Sequence, residues 1–502
     1  MPKLKTLPLA LLCACNGMGD PIGFPDTGEP GGEDSGQDWE TYRELSDADA
    51  VLWGDAAGDY AGAAVTFVGD VTGDDNPDLL IGVPAHAKGA FTPGSAVVVP
   101  GPITGEATLS EVGWALPGSG TETAGTAVSG LGDINGDDLA DFAIGAPYSA
   151  AGGVQRGAVY VFFGPLVEGG APLDSADAVV QGASNYALGG WSVDGGADVN
   201  GDGFSDLLIG AKWQGGPGTA YAGAAYLFYD SPSGTTNLAE ANHIFQGEAA
   251  SDVAGHSVSM AGDVDGDGRS DLLVGAVWVS PDATREHAGG AYLLTASDLA
   301  KQPEGEHSLS TASAKLLGED TDDLAGWDVA AAGDVNGDGK DDILITAPAH
   351  MESKTVDESG VTYVLFGPIT GTVELADADA KLLGDQVLEW SGASVAGAGD
   401  QDGDGLDDVL IGSPYRSIGK NYLGGGAMLF TEVTAGDRAL STAKVELAGG
   451  LEYDSAGWAM DAGADFNGDG MPDMVIGASG ADRGEDADIG SIHLVFGRLA
   501  GQ

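Results

Sequence analysis

Residues 198–206, Asp198-Val199-Asn200-Gly201-Asp202-Gly203-Phe204-Ser205-Asp206, set an oxygen-bearing side chain at positions 1, 3, 5 and 9 of a nine-residue stretch. The same pattern begins at Asp70, Asp133, Asp198, Asp263, Asp334, Asp400 and Asp465, at intervals of 63, 65, 65, 71, 66 and 65 residues. Copies so regularly spaced mark a modular array, in which each repeat is one supersecondary unit that needs its neighbours to bury its apolar faces.

Working outward, each copy is entered through a Gly-x-x-(Val/Met) segment, as in GGWSVDGGAD (189–198), and left through a short apolar run, as in DLLIGAK (206–212). A third apolar segment follows, seen in GAVYVFFG (157–164), GAAYLFYD (223–230), GVTYVLFG (360–367) and GSIHLVFG (490–497). A fourth follows that, as in ADAVVQG (176–182) and ADAKLLG (378–384). Four short strands with glycine-rich turns per unit predict an all-β, seven-bladed β-propeller with four antiparallel strands per blade. The last repeat ends soon after its third strand, while ADAVLWG (48–54) stands alone before the first Gly-x-x-Val segment. This orphan strand is expected to complete the last blade and close the ring, removing exposed edges.

The acidic loops have the chemistry of a hard-cation site, because Ca²⁺ takes six to eight oxygens from carboxylates, amides, carbonyls and water. The candidate ligands are Asp70, Thr72, Asp74 and Asp78; Asp133, Asn135, Asp137 and Asp141; Asp198, Asn200, Asp202 and Asp206; Asp263, Asp265, Asp267 and Asp271; Asp334, Asn336, Asp338 and Asp342; Asp400, Asp402, Asp404 and Asp408; and Asp465, Asn467, Asp469 and Asp473. Up to seven Ca²⁺ ions are expected. Glycine at position 6 permits a sharp turn at positive φ. The first two copies have Asp75 and Asp138 there, and the first has Thr72 at position 3, so these two are expected to be the weaker sites. An EF-hand is excluded at position 12, where a bidentate Glu is required and Ile81, Ile144, Ile209, Val274, Ile345, Ile411 and Ile476 stand instead. No loop contains His or Cys, which disfavours zinc.

Loop and flanking segments together resemble the FG-GAP repeat of integrin α-subunit propellers and their bacterial relatives, over roughly residues 46–499. The Gly-Ala-Pro trio stands at Gly145-Ala146-Pro147 and varies in other copies. The resemblance implies a seven-bladed propeller holding Ca²⁺ in hairpins between the first and second strands of a blade. Integrins carry such loops in some blades, whereas every blade has one here. Nothing in the chain matches the integrin partner domains, so the resemblance carries over the scaffold alone.

Both cysteines lie in the opening MPKLKTLPLALLCAC, where Lys3 and Lys5 precede an apolar run too short to span a bilayer. Leu12-Cys13-Ala14-Cys15 resembles a bacterial lipobox, which implies a signal peptide over 1–14 and lipidation of Cys15. No other cysteine remains to pair with Cys15, so a disulfide framework is absent. Residues 15–45, rich in Gly, Pro, Asp and Glu, read as a disordered acidic stalk before the propeller at 46–499. The expected location is a bacterial cell envelope or surface, lipid-anchored at the outer membrane, or otherwise the secreted fraction.

The formal charge of −59, from 78 acidic and 19 basic side chains, repels nucleic acid and leaves a lipid as the only expected membrane contact. It also destabilises a compact state unless cations neutralise part of it. Catalytic constellations are missing: the seven histidines follow no ligand spacing, and Gly255-His256-Ser257-Val258-Ser259 occupies the ordinary Gly-x-x-Val slot rather than a nucleophile elbow. Trp191, Trp327 and Trp458 share that slot and read as packing between blades; Tyr160, Tyr226, Tyr292 and Tyr363 read as core. The expected protein is a non-enzymatic, monomeric surface binding or adhesion module with structural calcium, its protein or glycan ligand carried on the propeller face or loops. The alternatives are a structural envelope lipoprotein without a specific ligand and, third, a propeller hydrolase or lyase.

Overall fold

The computed structural model describes residues 42–84, 93–120, 122–215, 220–351, 358–419, 421–484 and 487–497. They form seven sheets. Blade three shows the plan: Gly189–Ala197, Asp206–Ala211, Ala224–Phe228 and His243–Gln246 pair in succession as antiparallel neighbours, with Val193 opposite Ile209, Ile209 opposite Tyr226 and Tyr226 opposite Ile244. The nine-residue loop joins the first strand to the second.

Second strands such as Asp206–Ala211 and Asp342–Ala347 are buried at every residue, which is why they read as continuous apolar runs without alternation. Both faces of a blade are covered by its neighbours. The apolar core is accordingly divided into clusters that straddle blade boundaries. One joins Leu208, Leu227 and Phe245 of blade three to Val274 and Tyr292 of blade four, and another joins Leu52 and Ile492 of blade seven to Leu79 and Ile81 of blade one. The repeat's two glycines permit this proximity. A Cβ on Gly145 in the second strand of blade two would stand 2.3 Å from the carbonyl oxygen of Gly190 in blade three, and Gly190 itself sits at φ +78°. The same approach recurs at the seam, where a Cβ on Gly477 would lie 2.1 Å from the Gly62 oxygen.

The ring closes as expected: Ala50–Trp53 pairs antiparallel with Ser491–Val495 and becomes the fourth strand of blade seven. Two features depart from the sequence reading. Six of the seven sheets have five strands rather than four. The fifth comes from the following repeat and lies parallel to the fourth, as Gly234–Asn237 of repeat three lies against Ala178–Gln181 of blade two. A 3₁₀ turn, Leu238–Glu240 in this case, then leads into the next fourth strand. Such segments are short and polar, so apolar periodicity passes over them. Second, the boundary drawn at residue 45 moves back: Tyr42–Glu44 is a strand lying parallel to Val445–Ala448 in blade six. The N-terminal run Tyr42–Trp53 therefore reproduces strand, 3₁₀ turn and strand, and supplies outer strands to both blade six and blade seven.

Three aspartates, two on first strands and Asp328 just before one, add polar stitches between blades. Asp194 accepts the Met260 N–H at 2.8 Å and the Ser129 hydroxyl at 3.4 Å, joining blades two, three and four. Asp328 accepts from the Ser257 hydroxyl (2.9 Å) and the Val395 N–H (3.0 Å), joining four, five and six. Asp461 accepts from the Thr66 hydroxyl and the Phe67 N–H, both at 2.9 Å, across the seam from blade seven to blade one. Seam closure rests on buried Leu45, Ala50 and Leu52 as well as on these bonds. Leu52→Ala is expected to destabilise the protein by about 3 kcal/mol, read by chemical denaturation; a loss under about 0.5 kcal/mol would contradict a ring locked by its N-terminal strand.

Candidate metal centres in the interstrand loops

In each blade the loop folds on its own carboxylates. Position 1 accepts backbone donors further along: Asp198 Oδ1 takes the Gly201 N–H at 2.6 Å and Oδ2 the Gly203 N–H at 2.8 Å. Asp70, Asp133, Asp263, Asp334, Asp400 and Asp465 accept equivalent bonds from the residue at position 6. Position 5 accepts the N–H of position 7, as Asp202 does from Phe204 at 2.9 Å. Position 9 lies at the start of the second strand and reaches back to the N–H of position 2, as Asp206 Oδ2 does to Val199 at 2.7 Å. The predicted residues of each loop thus share one turn, in all seven blades.

Position 9 is fully buried in every copy, whereas positions 1 and 3 are half-buried and the position 5 carboxylates are exposed. Burial raises the position 9 carboxyls, to about 6 for Asp78, Asp141 and Asp473 and to about 7 for Asp206, Asp271, Asp342 and Asp408. Asp206 Oδ1, Asp408 Oδ1 and Asp402 Oδ1 are buried without a hydrogen-bond partner. An unpaired buried carboxylate oxygen is costly unless a cation meets it. In the fourth loop, oxygens of Asp263, Asp265 and Asp267 lie within 4.8 Å of one another; in the sixth, oxygens of Asp400, Asp402 and Asp408 do. An all-oxygen set with orphaned buried atoms fits a hard divalent cation.

Loops one and two differ as their sequences require. Asp75 and Asp138 hold φ +70° and +67° where the other copies have glycine, and the Thr72 hydroxyl donates to Asp78 Oδ1 at 3.4 Å. Cys15 and the segment 1–41 lie outside the described residues. The histidines form no metal cluster among the described residues. Trp191 and Trp327 flank His256, with ring centroids 6.0 and 4.8 Å from it, so this slot does pack across blades three, four and five. Tyr160, Tyr226, Tyr292 and Tyr363 are buried in core clusters. Lys212, buried and stacked over Trp191 in place of the usual proline, escaped the sequence reading, as did Asp194, Asp328 and Asp461.

Fold and loops together define a closed seven-bladed propeller with an oxygen-rich hairpin in every blade. Five of its repeats, at residues 124–162, 189–228, 254–294, 325–365 and 456–495, match the FG-GAP repeat model. The chain thus carries FG-GAP repeats in a seven-bladed propeller and is similar to integrin α chains. It is 32% identical to integrin alpha-PS2 of Drosophila melanogaster over 181 residues, which is 32% of this chain and 12% of that protein. It is 29% identical to integrin alpha pat-2 of Caenorhabditis elegans over 294 residues, 55% of this chain and 22% of that one. It is also 29% identical to human phosphatidylinositol-glycan-specific phospholipase D over 377 residues, 69% of this chain and 42% of the enzyme. The chain spans less than half the length of each of these relatives.

The raised position 9 carboxyls fix a sign for pH dependence. A folded-state value above the unfolded one means that the cation-free fold binds more protons, so stability falls as pH rises from about 4 through about 7. Protein stripped of divalent cations on a chelating resin is expected to melt lower at pH 8 than at pH 5. Restoring the cation should flatten that slope, and a melting temperature that rises with pH in the stripped protein would contradict the burial described.

Proposed function

We propose that this chain is an extracellular calcium-binding propeller that serves as a surface binding or adhesion module, with up to seven Ca²⁺ ions acting as structural elements of the hairpins. The observation that carries the calcium reading is the position 9 aspartate. In every blade it is buried at the root of the loop and tied to the loop backbone, with the half-buried oxygens of positions 1 and 3 and the exposed carboxylate of position 5 nearby. A cation there cross-links loop to strand and offsets part of the self-repulsion of a −59 chain. The reading is non-enzymatic. Among the described residues, no helix is long and apolar enough to cross a membrane; attachment through a lipid on Cys15 is part of the proposal.

The binding role draws support from the relation to integrin α chains and from the distribution of exposed aromatic side chains. Tyr186, Tyr221, Trp278, Tyr422 and Tyr453 lie on connections at the ring face opposite the acidic loops. A protein or glycan partner is expected on that face.

Two measurements test this reading. Excess EDTA should lower the melting temperature by at least about 10 °C, as loss of several stabilising ions would; an unchanged melting curve would sink the calcium reading. Replacing Cys15 with Ala should move the full chain from the detergent-extracted membrane fraction to the soluble one, and an unchanged distribution would remove the lipid anchor.

A further inference from the structure

The loops touch one another. Position 8 of one loop meets position 1 of the loop in the preceding blade. Asp341 Oδ2 accepts the Asp263 N–H at 2.6 Å, and the Asp341 N–H donates to the Asp263 carbonyl at 3.2 Å. Asp407 does the same to Asp334, at 2.8 and 3.2 Å. The Ser205 N–H donates to the Asp133 carbonyl at 3.5 Å and the Ser270 N–H to the Asp198 carbonyl at 3.4 Å. Each of these bonds engages the backbone of the first candidate ligand residue of a loop, as acceptor through its carbonyl and, at Asp263 and Asp334, also as donor through its N–H.

Position 7 adds a second contact across the same boundaries. Arg269 lies beside Gly201 and Lys340 beside Gly266, so close that a Cβ on either glycine would stand 3.1 or 2.5 Å from them; Phe204 covers Gly136 and Leu406 covers Gly337 in the same way. The contacts run without a break from loop two to loop six. At position 8 of loops one and seven stand Pro77 and Pro472, which have no N–H to give, and loop two has Ala140, with no carboxylate.

We propose that the residue at position 8 is a positioning residue for the cation site of the preceding blade, so that sites two to six form a coupled arc while sites one and seven stand outside it. The physical basis is orientation. A ligand residue whose backbone is held, at both N–H and C=O in Asp263 and Asp334 and at C=O in Asp133 and Asp198, keeps its carboxylate aimed at the ion, and partners of this outer kind commonly change metal affinity by about 10-fold to 100-fold. Filling one site orders its position 8, which orders position 1 of the site before it. The coupling is reciprocal by linkage. This inference rests on the calcium reading above.

Ser270→Pro offers a direct test, because it installs at loop four the residue that loops one and seven already carry there. Hydrogen exchange of loop peptides, measured on the full chain across a series of free Ca²⁺ concentrations, gives each loop its own midpoint. In the parent protein the midpoints of loops three to six should lie close together, that of loop two somewhat higher because Asp138 replaces glycine at position 6, and the transitions of all five should be steep. Ser270→Pro should move the loop three midpoint to Ca²⁺ concentrations about tenfold higher, with loops one and seven unmoved. Asp341→Ala, which keeps its backbone bond, should move the midpoint of loop four in the same direction and guards against a proline variant that fails to fold. A shift confined to the loop that carries the substitution, or no shift in any loop, would overturn the coupling while leaving the calcium sites standing. Absence of Ca²⁺-dependent protection in every loop of the parent protein would overturn the calcium reading and the coupling with it.

Discussion

A blade of this protein has two apolar faces and cannot bury either alone. That constraint governs everything else in the molecule. Each core cluster is shared between two blades, so a blade at a free end would expose a face lined by residues such as Leu79 and Ile81. The ring must close for the last face to be covered. It does so through backbone approach at Gly62 and Gly477 and through a strand borrowed from the opposite end of the chain. The interleaving goes further than one strand, because nearly every sheet also carries a parallel edge strand from the repeat that follows. Neighbouring blades are thus joined through apolar faces, backbone ladders and bridging aspartates together.

Close packing of blades brings the acidic loops side by side at one end of the ring. Carboxylates concentrated there repel one another, and the buried position 9 groups bear an additional desolvation penalty. The loop backbone answers part of this with directed N–H groups, most consistently at position 1. The oxygens left over at Asp206, Asp402 and Asp408 are where backbone donors run out. A divalent cation bound there, as proposed, would answer that remaining need with its own charge. On that proposal, the same loops that set the hairpins would also be the places where the chain's charge is partly neutralised.

Much of this could be read along the chain. The seven loops, their ligand spacing and the apolar position 12 are local patterns, and local patterns repeat in the sequence as they repeat in space. The orphan strand near Ala50 was visible as well, as the unmatched remainder of a periodic count. The fifth strands were not, because segments such as Gly234–Asn237 are polar and half-exposed and carry no apolar alternation. Their signal is of another kind, a recurring Gly-x-x-x-Leu seen at Gly234 to Leu238, Gly305 to Leu309 and Gly371 to Leu375, whose leucine is buried. Tyr42–Glu44 was hidden for the same reason, inside a stretch that composition marks as a polar stalk.

The sequence by itself determined the repeat, the blade number, the donor set of each loop and the need for closure, since each follows from residue types at fixed offsets within one chain segment. Only the tertiary structure decided which groups meet across blade boundaries. Asp194, Asp328 and Asp461 stand far along the chain from several of the N–H and hydroxyl groups they hold, and Asp341 lies 78 residues from Asp263. Contacts of that range depend on the rotation from one blade to the next, which is set by the packing of the faces and cannot be read from the local pattern of either loop. The candidate cation sites are local in their ligands and non-local in their support, which is why the first could be read from the chain and the second could not.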